Sequence, residues 1–215
     1  MILYFNRIYN VHIEQQFLSD INTQRRITMS LINQSVPEFK AQAFHNGKFV
    51  EVTNESIKGK WNVFIFMPAA FTFNCPTEVE DAADNYEAFK TAGAEVYIVT
   101  NDTHFAHKVW HETSPAVGKA QFPLIGDPTH SLTRGFDVHI DEEGLALRGT
   151  FIINPAGIVK TAEVHSNEIA RDVSETLRKL KAAQYTAANP GQVCPAKWKE
   201  GAQTIAPSLD LVGKI

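Results

Sequence analysis

The spacing of hydrophobic and polar positions changes period several times along the chain, and each change marks an element. Val63 to Met67 is an unbroken run of apolar, β-branched and aromatic residues, which predicts a buried strand. Pro68 ends that strand, because proline has no N–H to give to a ladder. From Glu78 the pattern turns helical, with apolar or small residues at Val79, Ala82, Ala83, Tyr86 and Phe89 and a stop at Gly93. Ala94 to Thr100 reads as a second core strand, and Thr103 to about Thr113 as a helix ending before Pro115. Phe122 to Ile125 is a short strand running into Gly126-Asp127-Pro128. Phe44 to Val52 reads as a hairpin turning at Asn46-Gly47. Leu145 to Ile153 and Ile158 to Val164 form a second hairpin around Asn154-Pro155-Ala156-Gly157. Asn167 to about Gln184 is a helix with Ile169, Val173, Leu177 and Leu180 on one face.

Alternating strands and helices closed by a hairpin and a helix give an α/β layered sheet, a pattern that suits a thioredoxin-like fold. After Gln184 the periodicity stops. Asn189-Pro190-Gly191, Pro195 and Pro207 punctuate a tail that reads as an arm rather than a core element. Residues 1–28 show no sustained periodicity and are expected to be an upstream extension, with the natural start at Met29. The expected divisions are therefore 1–28, a main domain 29–186, and an arm 187–215.

Composition narrows the class. With 44% hydrophobic residues in 215, one domain with appendages can build a full core. A net charge of −4 without a basic run gives no reason to expect nucleic acid or an anionic membrane surface. The longest apolar stretch, 63–71, is far below the ~20 residues a spanning helix needs. The two cysteines, Cys75 and Cys194, are too far apart in sequence for a C-x-x-C pair or a disulfide scaffold. Residues 1–28 lack the apolar core and cleavage site of a secretory signal, so a reducing cytosol is expected.

Candidate chemistry centres on Cys75. It sits where a core strand gives way to a helix, with Pro76 suited to the first turn. Free N–H groups and the positive end of the helix dipole favour a thiolate there, and the thiolate is the nucleophilic form. Thr72, three residues earlier, can both donate to and accept from a substrate oxygen. Pro68 can shape the pocket and keep water from the sulfur. Arg148 interrupts an apolar strand and, facing the core unpaired, would be very costly. Glu78 has two open readings: orienting Arg148 through a charge-assisted bond, or favouring the helix dipole from the first turn. His104, His107 and His111 share a helical face and invite a metal reading. The pattern is not H-E-x-x-H and neither cysteine is near in sequence, so a surface or interface face is expected instead, with no metal. Asp141-Glu142-Glu143-Gly144 reads as a solvated acidic turn, and Lys197 and Lys199 as solvated arm residues.

Pro68-x-x-x-Thr72-x-x-Cys75 resembles the active-site motif of the peroxiredoxins. Its extended form, Phe71-Thr72-Phe73-Asn74-Cys75-Pro76-Thr77-Glu78, resembles the typical two-cysteine branch. The segment Gly191-Gln192-Val193-Cys194-Pro195-Ala196-Lys197-Trp198 is similar to the tail of the bacterial alkyl hydroperoxide reductase C group. The likeness runs from about Met29 to Ile215. It implies a thioredoxin-like fold with peroxiredoxin insertions and a C-terminal arm. It also implies an antioxidant peroxidase reducing hydrogen peroxide and organic hydroperoxides, with Cys75 peroxidatic, Cys194 resolving and Arg148 paired with the thiolate. A sulfenic acid on Cys75 would condense with Cys194 of a partner subunit; on the residues alone an intrachain bond stays open. The resemblance implies no bound cofactor, with reduction by a separate NADH-dependent flavoprotein disulfide reductase or by thioredoxin. It implies a homodimer and a ring of five dimers, in which the histidine segment and Phe71 lie near contacts between dimers. The G-G-L-G and C-terminal Y-F motifs of peroxide-sensitive relatives are missing, so resistance to over-oxidation is expected. A thioredoxin-type thiol–disulfide oxidoreductase and a ring-forming holdase are the competing readings; the first lacks its C-x-x-C.

Overall fold

In the computed structural model, which describes residues 30–214, strands β3 (Trp61–Phe66) and β4 (Ala94–Thr100) lie side by side and parallel at the centre. The expected extension, 1–28, and the expected start at Met29 lie outside the described residues. β5 (Leu124–Gly126) continues the parallel set beyond β4. The antiparallel hairpin β1 (Lys40–His45) and β2 (Lys48–Thr53) covers that edge. On the other side of β3, β8 (Arg148–Ile153) and β9 (Val159–His165) run antiparallel, giving the order β2-β1-β5-β4-β3-β8-β9. The β1–β2 turn forms because Asn46 and Gly47 both take positive φ, 49° and 76°, as a two-residue hairpin loop requires.

Both faces of the central strands are buried, which explains an apolar run without polar alternation. Val63, Ile65 and Met67 point to one layer with Val96 and Ile98. That layer is closed by α2 (Cys75–Asp84), α3 (Tyr86–Thr91), α4 (His104–Thr113) and α6 (Val173–Ala188), through Val79, Phe89, Trp110 and Leu180. Phe64, Phe66, Tyr97 and Val99 point the other way, into a layer with Phe136 and Phe151. There the Phe64 ring stacks at 5.7 Å on Phe136, which follows the short helix α5 (Ser131–Gly135). The one-turn helix α1 (Asn54–Ile57) and the small ladder of β6 (His139–Ile140) with β7 (Leu145–Ala146) complete the described elements used below.

Four expectations need correction. The helix expected from Glu78 to Gly93 is two helices. Asn85 breaks it, its side-chain amide donating to the Asp81 carbonyl and carboxylate. The strand expected over Leu145–Ile153 is interrupted at Leu147, whose N–H turns aside to Val138, so Arg148 begins β8. The helix expected from Asn167 starts at Val173, capped by the Asp172 carboxylate on the N–H groups of Ser174 and Glu175. Ile169 is therefore off the helix and 58% exposed. Finally, the arm is not outside the folded body. Buried Trp198 packs on Tyr185 of α6, its carbonyl accepts from Arg178, and Val193 pairs with Ile205. The apolar ring gives this segment a reason to fold back that proline and glycine content does not reveal.

Gly126 shows how tightly the parallel centre is packed against the segment after β4. A Cβ there would meet the backbone of Asp102 and His104 at 2.6 Å. Backbone cannot swing aside as a side chain can. Gly126→Ala is expected to destabilise the protein by about 1–3 kcal/mol, read as a lower urea midpoint with an unchanged slope.

Candidate active site

The carboxyl ends of β3 and β4 open the crevice in which an α/β sheet commonly holds its ligand. β3 ends into Met67-Pro68, both buried, and the chain crosses to the first residue of α2, Cys75. Cys75 is fully buried. Asn74 precedes the helix without a side-chain cap, and Pro76 occupies the first turn. Thr72 is half-buried, and its hydroxyl donates to the Ala69 carbonyl at 3.0 Å. That leaves the lone pairs of its oxygen to accept from a substrate O–H.

The structure brings Arg148 from β8 to the sulfur: its Nη1 lies 3.5 Å from Sγ of Cys75. The same nitrogen donates to Glu78 at 2.6 Å, and its Nε donates to the Asn167 carbonyl at 2.8 Å. Both partners fix the guanidinium plane. Glu78 is thus a buried residue of the first helical turn, paired with Arg148.

A residue that the sequence analysis did not single out completes the site. Arg171 is buried and grips Glu78 through Nε at 2.8 Å, Nη2 at 3.0 Å and its own backbone N–H at 2.9 Å. Its Nη1 donates to the Gly149 carbonyl at 2.7 Å. The extended periodicity placed Arg171 inside a helix. The spacing Asp172-x-x-Glu175, a helix-start signature, would have placed it just outside. Burial alone would push the Glu78 carboxyl up. The Arg171 hydrogen bonds and charge, with Arg148 adding to them, outweigh it and hold Glu78 below the ordinary carboxylate range. Two guanidiniums against one carboxylate leave a buried excess of one positive charge, and an anionic sulfur at Cys75 would cancel it.

Other candidates go elsewhere. Cys194 is half-buried against α6, with Sγ 3.9 Å from the Ala182 carbonyl. Burial pushes its thiol up, and the cation that partly offsets this is Arg178; Lys197 and Lys199 are exposed. The three histidines do not act together. His107 is a core residue, not part of a surface face: its ring nitrogens lie 2.8 Å from Thr100 Oγ1 and 3.0 Å from the Leu124 carbonyl. His104 packs on Phe49 and Phe105, and His111 on Phe44. Among the described residues no group of three His, Cys, Asp or Glu side chains could hold a metal, and no helix is long and apolar enough to cross a membrane.

A thioredoxin-like sheet that sets one buried cysteine at a helix start against an arginine defines a thiol enzyme of the peroxiredoxin class. The AhpC/TSA family matches residues 32–162, and the C-terminal domain of 1-Cys peroxiredoxin matches 182–214, the segment that holds Cys194. Alkyl hydroperoxide reductase C of Pseudomonas aeruginosa is 80% identical over 187 residues, covering 87% of this chain and 100% of that protein. Its counterpart in Salmonella typhimurium is 57% identical over the same coverage. Enterococcus faecalis AhpC superposes with a TM-score of 0.76 at 40% identity, covering 78% of this chain and 100% of that one. The reduced 2-Cys peroxiredoxin of Plasmodium vivax gives 0.81 at 30% identity, covering 85% and 96%. The chain belongs to the AhpC/TSA family and is a peroxidase of the bacterial AhpC-type peroxiredoxins.

Two outcomes follow from the buried charges. Glu78→Gln strips the carboxylate from two buried guanidiniums and is expected to cost about 3–5 kcal/mol in a urea titration at pH 7. Because its folded value is depressed, the Glu78 contribution is complete above about pH 4.3 and is lost only as pH falls through that lower value. His107 behaves differently. Burial lowers it to about 4, so between pH 6.5 and 4 the unfolded chain binds the extra proton and stability falls with pH. From pH 7 to 5 that loss is about 2 kcal/mol. His107→Gln should flatten this slope, whatever its effect at pH 7.

Proposed function

We propose that the protein reduces hydrogen peroxide and organic hydroperoxides to water and alcohols in a two-cysteine cycle. The observation that carries this reading is the contact of Arg148 with the sulfur of Cys75 inside a cluster with one uncompensated positive charge. The Cys75 thiolate attacks the terminal peroxide oxygen. An S–O bond forms, the O–O bond breaks, and the departing alkoxide or hydroxide takes a proton from water. Arg148 steadies the sulfur anion and the negative charge growing on the leaving oxygen. The Thr72 oxygen accepts from the substrate O–H and sets its angle of approach. Cys75 is then a sulfenic acid.

Cys194 resolves it: its sulfur bonds to Cys75, the S–O bond breaks, and water leaves. Same-chain geometry favours a partner's Cys194. Asp81 of α2 accepts from Val173 at the start of α6, whereas Cys194 lies against Ala182, nine residues further along. That is about 13 Å of helix, and Glu78, closer to Cys75 in sequence than Asp81 is, bonds to Arg171 before α6 begins. A disulfide needs Cα atoms within about 7 Å. Two separate sets of exposed apolar residues, Phe71, Phe105 and Val109 on one hand and Val164 and Ile169 on the other, suit a homodimer assembled further into a ring. An NADH-dependent flavoprotein disulfide reductase returns two electrons to the disulfide, in the cytoplasm, where both thiols stay reduced at rest.

Turnover of peroxide coupled to NADH oxidation through the flavoprotein, or to NADPH oxidation through thioredoxin and its reductase, tests the cycle. Cys75→Ser should abolish it, and Arg148→Met should lower it about 10²–10³-fold. Cys194→Ser should allow one peroxide per chain and then stop. Non-reducing electrophoresis after peroxide should show a disulfide-linked dimer; a monomer alone would contradict the intersubunit bond.

A further inference from the structure

The segment that carries Thr72 into Cys75 is tied down by a carboxylate outside the catalytic cluster. The Met67 N–H donates to the Val99 carbonyl as the β3–β4 ladder ends, and Pro68 has no N–H to continue it. The next backbone donor to reach across is Ala70, whose N–H meets Oδ2 of Asp102 at 2.7 Å. Among the described residues it is the one hydrogen bond between residues 68–73 and a residue outside that stretch. Phe71 follows at φ 60°, a left-handed conformation that a non-glycine residue holds only when its neighbours fix it.

Asp102 is itself held by Thr100, through both its side chain and its backbone. The hydroxyl of fully buried Thr100 donates to Oδ2 at 2.7 Å, and the Asp102 N–H returns a bond to the same hydroxyl at 3.1 Å. Thr100 Oγ1 lies 2.8 Å from Nε2 of His107, whose Nδ1 lies 3.0 Å from the Leu124 carbonyl. β4, α4 and β5 thereby share one polar chain that ends on Ala70. Gly126 lets the Asp102 backbone sit directly on β5.

We propose that Asp102 is a positioning residue that latches the 68–74 segment closed for peroxide attack and must let go for disulfide formation. The inference rests on the two-cysteine cycle proposed above. Cys75 is fully buried and Cys194 lies well away, so the sulfur has to leave its pocket to be resolved. The peroxide step needs the segment shut, with Thr72 and Arg148 beside the sulfur; the disulfide step needs it open. A charge-assisted bond to one backbone N–H acts on both steps with opposite sign. It sets how long the sulfenic acid stays sheltered, and hence how much peroxide the enzyme survives before over-oxidation.

Asp102→Ala removes the acceptor, and Asp102→Asn keeps a carbonyl oxygen that Ala70 can use. In the reduced protein, amide exchange in the 68–74 peptide should quicken about tenfold or more in Asp102→Ala, with β3 and β4 unchanged and Asp102→Asn in between. In stopped flow the peroxide step should slow while disulfide formation speeds up, and sulfinic acid should need more peroxide to appear. Unchanged exchange at 68–74, or both rates falling together as in general destabilisation, would overturn the proposal. Failure of the unaltered protein to form a Cys75–Cys194 disulfide would overturn the cycle beneath it, and non-reducing electrophoresis detects that separately from exchange.

Discussion

A carboxylate with almost no access to water, Glu78, receives four N–H bonds from two arginines that come from different parts of the chain. Removing three charges from water is costly, and only close pairing with full hydrogen bonding offsets it. That requirement dictates much of the surrounding geometry. It fixes the start of β8, which delivers Arg148, and the turn before α6, which delivers Arg171. It also explains why α2 begins at Cys75 with its first turn facing inward. The leftover positive charge then lies beside a buried group able to become an anion, the Cys75 sulfur.

Chemistry is placed at the carboxyl ends of parallel strands because that is where chain reversals expose backbone N–H groups and helix starts. β3 leads into the segment carrying Thr72 and Cys75, and β4 ends at Thr100, two residues before Asp102. The layers on both faces of the sheet leave those ends little room to shift. The segment between β3 and α2 is different. Among the described residues, positions 68–73 make one hydrogen bond to a residue outside that stretch, and they include two exposed aromatic rings, Phe71 and Phe73. Local stability is lowest where buried apolar contacts and internal hydrogen bonds are fewest. A rigid scaffold with one weakly held segment fits the proposed cycle, in which the nucleophile is sheltered in one step and released in the next.

The arm follows a similar logic. Trp198, Tyr185 and Arg178 dock it on α6 and hold Cys194 half-covered rather than free in solvent. A resting thiol with its ionisation disfavoured by burial is slow to react with the wrong oxidant.

The linear order of residues determined the strand that leads to Cys75, the helix after it, the Asn46-Gly47 turn and the layered α/β class, because each depends on local period, proline or glycine. It also marked Arg148 as out of place in an apolar strand. It did not determine the break at Asn85, the late start of α6 or the docking of the arm, since each hangs on one side chain choosing a distant or capping partner over the local pattern. Above all it did not disclose Arg171, or that Asp102 reaches Ala70, thirty-two residues away in sequence. Those contacts exist only once parallel strands bring separate loops to the same end of the sheet. Periodicity records which face a residue takes, and tertiary structure alone decides what waits for it there.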